Sequence, residues 1–241
     1  MKKMPRWYKI LFILWNKTEY GRWVRLEMSI KAVLFDLDGT LTDSGEGIIN
    51  CALLALKHFN LPLPDREEMR VFVGPPLRDS FLRFGVQPDD VEEAVEIYRK
   101  RYVPIGMFEN TPYPGISAML AALKENGHKL YVATSKPESM ATEILEKFKL
   151  SGYFDRIYGA SMDETRDTKD KVISYVLRDL NCGNNIIMVG DTIYDVLGAA
   201  AYGIQTVGVT WGYGKKSELL DAGAVTTVDT PTQLLEYFKI T

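Results

Sequence analysis

From residue 30 onward, short apolar runs alternate with longer amphipathic stretches. The runs at 31–36, 129–134, 156–160, 186–190, 205–209 and 225–228 are strand-length, and several are almost continuously apolar. Strands covered on both faces read this way, because neither face meets water. Their alternation with helical stretches predicts an α/β architecture, a Rossmann-like, doubly wound parallel sheet with crossover helices.

About ninety residues separate the first two predicted strands, far more than one crossover helix needs. Within them Ile49, Leu53, Leu56 and Asn60 keep helical spacing, and Val91, Ala94, Val95, Tyr98 and Tyr102 form a longer stripe. Pro75-Pro76 can open another helix leading to Phe81 and Phe84, since a first turn has no use for the missing amide. The interruption therefore predicts an inserted all-helical cap at 44–111, between core segments 29–43 and 112–241. Thr111-Pro112-Tyr113-Pro114-Gly115 returns the chain to the core. The expected flex points are 42–44 and 111–115.

The first 28 residues differ in charge. Seven Lys/Arg against Glu19 and Glu27 give +5, which leaves −8 for the remainder of a chain of net charge −3. An apolar run at 10–15 is too short to span a bilayer, and no small-residue cleavage site follows it. This segment is expected to be a basic extension unconnected with the catalytic fold, with the natural start at Met28. An acidic core disfavours a nucleic-acid polymer as partner. Cys51 and Cys182 stand far apart without neighbouring ligand residues, which argues against disulfides or zinc and fits a reducing cytoplasm. His58 and His128 sit in no triad pattern and are expected to be structural.

The strongest chemical signal is Val33-Leu34-Phe35-Asp36-Leu37-Asp38-Gly39-Thr40, a buried strand that ends in two carboxylates and a glycine. In open parallel sheets ligands bind beyond the carboxyl ends of the strands. Two close carboxylates repel unless a cation sits between them, and Mg2+ commonly joins carboxylates to a phosphate. Asp36 can then act as nucleophile, forming an aspartyl-phosphate, with Asp38 protonating the leaving oxygen and later activating water. Gly39 and Thr40, in the turn that follows, are candidate phosphate contacts.

This motif resembles the haloacid dehalogenase-like superfamily. The resemblance implies that Asp38 meets the metal through its backbone carbonyl. Thr134 matches the second motif and Ser135 follows it, at a strand end and helix start where phosphate oxygens could be held. Lys169 resembles the third-motif lysine that neutralises nucleophile and phosphate, with Lys171 and Arg166 as nearby competitors. Asp191 at the end of an apolar strand, with Asp195 four residues on, resembles the fourth motif. Asp195 would join the metal shell or hold a ligand or Lys169. The cap's position resembles the phosphoglycolate phosphatase-like branch, where Arg78 would lie in a loop over the site and meet an anionic leaving group.

The expected activity is that of a Mg2+-dependent phosphatase acting on a small phosphorylated metabolite, with no membrane span, as a monomer or homodimer. Phosphoglycolate is the substrate the branch suggests, and a nucleoside monophosphate, pyrophosphate or phosphotyrosine also fits. A sugar-phosphate mutase shares the phospho-enzyme and differs only in the acceptor. A receiver domain lacks an acid placed like Asp38 and has no reason for a cap. A dehalogenase needs no such proton donor, and a dinucleotide oxidoreductase would need a Gly-rich turn that is absent after every predicted strand.

Overall fold

The computed structural model describes residues 14–17, 23–26, 30–163, 165–180 and 185–240. Of the basic segment, two strands are described, β1 (Leu14–Lys17) paired antiparallel with β2 (Trp23–Leu26). The other expectations about that segment, and that for Cys182, fall outside the described residues.

The core is a six-stranded parallel sheet. Its strands are β3 (Ala32–Phe35), β6 (Lys129–Pro137), β7 (Arg156–Ala160), β8 (Ile186–Gly190), β9 (Gln205–Val209) and β10 (Thr226–Val228), in the spatial order β10-β9-β8-β3-β6-β7. The continuous apolar character of the three central strands has a direct cause. Val33 and Phe35, Leu130 and Val132, Ile187 and Val189 pack into one core, while Ala32 and Leu34, Tyr131 and Ala133, Ile186 and Met188 pack into another. Successive side chains point to opposite faces, and here both faces are covered. Helices α4 (Ile116–Glu125), α5 (Glu138–Lys147) and α9 (Pro231–Tyr237) supply residues to the first core. Helix α6 (Lys169–Asp179) supplies Val172, Ile173 and Val176 to the second. Helices α7 (Ile193–Ala200) and α8 (Lys216–Ala222) join through a small cluster of Val196, Leu219 and Ala224.

Between β3 and β6 the chain leaves the core through β4 (Thr42–Asp43) and returns through β5 (Thr111–Pro112), which pair antiparallel to form a narrow neck. The regular elements between them are all helical, α1 (Gly45–His58), α2 (Leu77–Arg83), α3 (Val91–Tyr102) and short 3-10 turns. Every residue of the stripe from Val91 to Tyr102 is buried. In α1, Ile49 and Leu56 are buried and Leu53 half-buried, but the expected stripe stops there. Asn60 lies beyond the helix end at φ +53°, a left-handed conformation that asparagine tolerates well. Helix α2 starts directly after Pro76, and Phe81 packs edge-on against Phe72 and Tyr98. Among the described residues no helix is long and apolar enough to cross a membrane. Cys51 is a buried free thiol, His58 pairs with Glu93 at 3.0 Å, and His128 packs against Phe238.

Candidate active site

Strands β6, β3 and β8 are neighbours, so their carboxyl ends deliver Thr134, Asp36 and Asp191 to one edge of the sheet. Asp36, Asp191 and Asp195 each place a carboxylate oxygen within 4.8 Å of the other two, and all three are buried. Lys169 starts α6 and turns inward beneath them. Its Nζ lies 2.7 Å from Asp36 Oδ1 and 2.8 Å from Asp195 Oδ1, and it donates to the Ala133 carbonyl at 2.9 Å. The competitors face elsewhere, Lys171 pairing with Asp167 and Arg166 stacking on Tyr175 while donating to the Gly159 carbonyl.

Asp195 uses its second oxygen to cap α7, accepting from the Thr192 amide and hydroxyl at 3.0 and 2.9 Å. Its position is therefore fixed twice over, by a capping box and by an ion pair. Asp191 is held equally firmly, with Oδ1 accepting from the Thr40 hydroxyl at 3.1 Å and Oδ2 from the Tyr213 amide at 2.8 Å. Gly39 makes room for this, since at φ +86° a Cβ there would stand 2.2 Å from Asp191 Oδ2. The Gly39 amide is spent on the Thr42 carbonyl at 2.8 Å. Gly39 and Thr40 thus hold the acidic loops together, and neither offers its donor to the cavity as expected.

Burial pushes the Asp36 carboxyl up from 3.8 to about 6, with Lys169 pulling against that rise and Asp195 and Asp38 adding to it. Burial, then Asp195 and Asp36, drive Asp191 well above the ordinary carboxylate range. Burial opposes the Lys169 ammonium, but the charges of Asp195 and Asp36 outweigh it and raise its pKa. Four carboxylates, Asp36, Asp38, Asp191 and Asp195, face two ammoniums, Lys169 and Lys136, so that full ionisation of the acids would leave two negative charges uncompensated. Asp38 Oδ1 is also buried without a hydrogen-bond partner. An all-oxygen, electron-rich donor set short of positive charge fits a hard divalent cation.

Above the acids lies a cavity of about 170 Å³ between core and cap. Asp36, Asp38, Thr134, Ser135 and Lys169 line its floor, and Ile48, Phe72, Leu77, Val95, Tyr98 and Tyr102 give it an apolar cap wall. Arg78 also lines it, as expected of a residue over the site, and pairs with Glu92 of the cap. Thr134 and Ser135 do not cap a helix. The ladder between β6 and β7 jumps from Ala133 to Pro137, a bulge that swings residues 134–136 out over the site, and α5 begins only at Glu138.

A family model described as haloacid dehalogenase-like hydrolase matches residues 33–209. The chain belongs to the haloacid dehalogenase-like hydrolase family. It is 40% identical to a 5'-nucleotidase of Pseudomonas aeruginosa over 78% of this chain and 86% of that one. It is 41% identical to the tyrosine-protein kinase PtkA of Mycobacterium tuberculosis over 83% of this chain and 68% of the kinase. A crystal structure described as a predicted phosphatase from Clostridium acetobutylicum superposes with a TM-score of 0.84 at 42% identity, covering 88% of this chain and 99% of that one.

Against this haloacid dehalogenase-like site, two side chains went unread in the sequence. Lys136 is buried on the bulge, 2.7 Å from Asp38 Oδ2, and donates to the Tyr102 hydroxyl at 2.6 Å. It joins a core carboxylate to a cap helix. Its pKa is raised because Asp38 and Tyr102 outweigh burial, while burial pushes Tyr102 up to about 12. In the sequence Tyr102 belongs only to a packing stripe, and Lys136 belongs to no motif. A lysine inside an otherwise buried loop was the one available signal.

Proposed function

We propose that this member of the family is a Mg2+-dependent phosphatase that hydrolyses a small phosphomonoester through an aspartyl-phosphate on Asp36. It is a phosphoric monoester hydrolase. The observation that carries the reading is the buried Asp36 carboxylate on the cavity floor, ion-paired to Lys169, with Asp38 beside it. Asp36 and Asp191, with the Asp38 backbone carbonyl, would hold the metal, and Asp195 anchors Lys169 at its edge. When bound, Mg2+ neutralises the acids and draws the phosphate oxygens toward Asp36.

The steps of the reaction belong to the protein's side chains. Asp36 attacks phosphorus in line while Lys169 offsets charge on the transferring group. Asp38 gives its proton to the leaving oxygen, then takes one from the water that cleaves the acyl phosphate. Lys136 orients Asp38 by donating to its Oδ2, which leaves Oδ1 to carry and exchange the proton. Thr134 and Ser135, carried over the floor by the bulge, hold phosphate oxygens. The cap wall excludes bulk water from the intermediate.

The cavity's apolar wall offers more surface than a glycolate leaving group can use, which favours a nucleoside 5'-monophosphate as the second reading beside phosphoglycolate. The test is phosphate release from a panel containing phosphoglycolate, nucleoside 5'-monophosphates, pyrophosphate and phosphotyrosine, with Mg2+ and with chelator. Wild type should turn over at least one member only with Mg2+, and Asp36→Asn should lose at least about 10³-fold in kcat. Near-normal turnover by Asp36→Asn ends the nucleophile assignment. Label from the phospho-enzyme appearing on tyrosine instead of in free phosphate would make the acceptor a protein.

A further inference from the structure

The tetrapeptide Trp211-Gly212-Tyr213-Gly214 follows β9, and beyond the Tyr213 amide that holds Asp191 it has no part in the chemistry above. It is wedged between the two acidic loops. The Trp211 indole donates to the Thr40 carbonyl at 3.0 Å, and the Tyr213 amide donates to Asp191 Oδ2 at 2.8 Å. The wedge admits only glycine on either side of Tyr213, because a Cβ on Gly214 would lie 1.9 Å from the Asp191 carbonyl oxygen and one on Gly212 2.3 Å from that of Gly39.

The Tyr213 side chain reaches the opposite way, into the neck of the cap. Its hydroxyl accepts from the Gly45 amide at 2.7 Å and donates to the Asp43 carboxylate. Asp43 lies in β4, the outgoing strand of the neck, and Gly45 is the first residue of α1. From the cap, Arg70 lays its guanidinium 5.1 Å from the centre of the Tyr213 ring and donates to the Gly212 carbonyl at 3.2 Å. One residue therefore touches a candidate metal ligand with its main chain and the cap's pivot with its side chain.

We infer that Tyr213 is a positioning residue that couples the posture of the cap to Asp191, so that cation binding on the floor and closure at the neck favour each other. A rigid phenol ring separates the two contacts. A swing of α1 about the neck must break the phenol's hydrogen bonds to Gly45 and Asp43 or pull the tetrapeptide off Asp191. Coupling of this kind is reciprocal: what the cation does to the neck, the neck does to cation affinity. The inference rests on the metal reading of the proposed function and adds a route from the metal to the cap.

The full chain is titrated with Mg2+ by calorimetry, and amide hydrogen exchange of residues 42–48 is followed with and without Mg2+, for wild type, Tyr213→Phe and Arg70→Met. Tyr213→Phe keeps the amide bond to Asp191, and Gly45 keeps an acceptor in Asp43 Oδ1 at 3.4 Å, so the change is confined to the coupling. Mg2+ should slow exchange at 42–48 in wild type. In Tyr213→Phe that response should vanish and the Mg2+ dissociation constant should rise about fivefold or more. Arg70→Met should show a smaller loss of both, and decides the question if Tyr213→Phe does not fold. If wild type binds Mg2+ but both variants keep its affinity and its exchange response, Tyr213 is only packing and the inference fails while the metal reading stands. If wild type binds no Mg2+, the metal reading fails and the inference with it.

Discussion

Asp36 is costly to keep ionised in this fold, and the cost can be measured. Its carboxyl titrates at about 6 in the folded chain against an ordinary 3.8. A rise of that size corresponds to roughly 3 kcal/mol between the protonation states. Because the folded state binds this proton more tightly than the unfolded state does, the group favours folding most below pH 3.8. That contribution drains away as pH climbs from 3.8 to about 6 and stays lost above. Asp36→Asn removes the titration and leaves an amide oxygen for Lys169. Without divalent cation, the variant should match wild type in stability near pH 3.5 and exceed it by up to about 3 kcal/mol at pH 7.

Urea unfolding of both proteins in chelator, at half-unit steps from pH 3.5 to 7.5, reads this, since carboxylates remote from the site contribute to both and cancel in the difference, while relief of Asp191 from the Asp36 charge adds to it with the same sign. Added Mg2+ should stabilise wild type by mass action and the variant much less, narrowing or reversing the gap at pH 7. A stability difference that is flat with pH, or that favours wild type at pH 7 in chelator, would refute the claim that Asp36 is buried and short of positive charge.

Removing the opposing charge should act in the opposite sense. Lys169→Met leaves Asp36 and Asp195 buried without their ammonium, and should cost about 3–5 kcal/mol by urea unfolding at pH 7. The double variant Asp36→Asn/Lys169→Met should recover part of that loss, and a purely additive double-mutant cycle would dissociate the two. In the cap, Phe81 is fully buried between Phe72 and Tyr98, so Phe81→Ala should cost about 3–5 kcal/mol, with exchange in α2 and α3 rising more than in the central strands.

The sheet was legible because burial on both faces leaves a mark on each strand separately. Val33 and Leu34 enter different cores, and the run around them is apolar for that reason alone. The acids were legible for a related reason, since a charged pair immediately after such a run has little place to go except the sheet edge. What the periodicity could not carry is any contact between elements. Tyr102 satisfies the α3 stripe whether or not its hydroxyl meets Lys136, and the bulge that lifts Lys136 over Asp38 exists only relative to β7. Thr40 and Gly39 were assigned to the ligand because they follow the acids, whereas Asp191, 151 residues further along the chain, claims the Thr40 hydroxyl. Tyr213 is the extreme case, with its neighbours at the neck about 170 residues away and no local pattern to mark it. The residues that generate charge announce themselves in sequence, while those that aim it do so only where separate strand ends meet. Substitutions at Lys136, Tyr102 and Tyr213 should therefore alter affinity and closure while sparing the nucleophile.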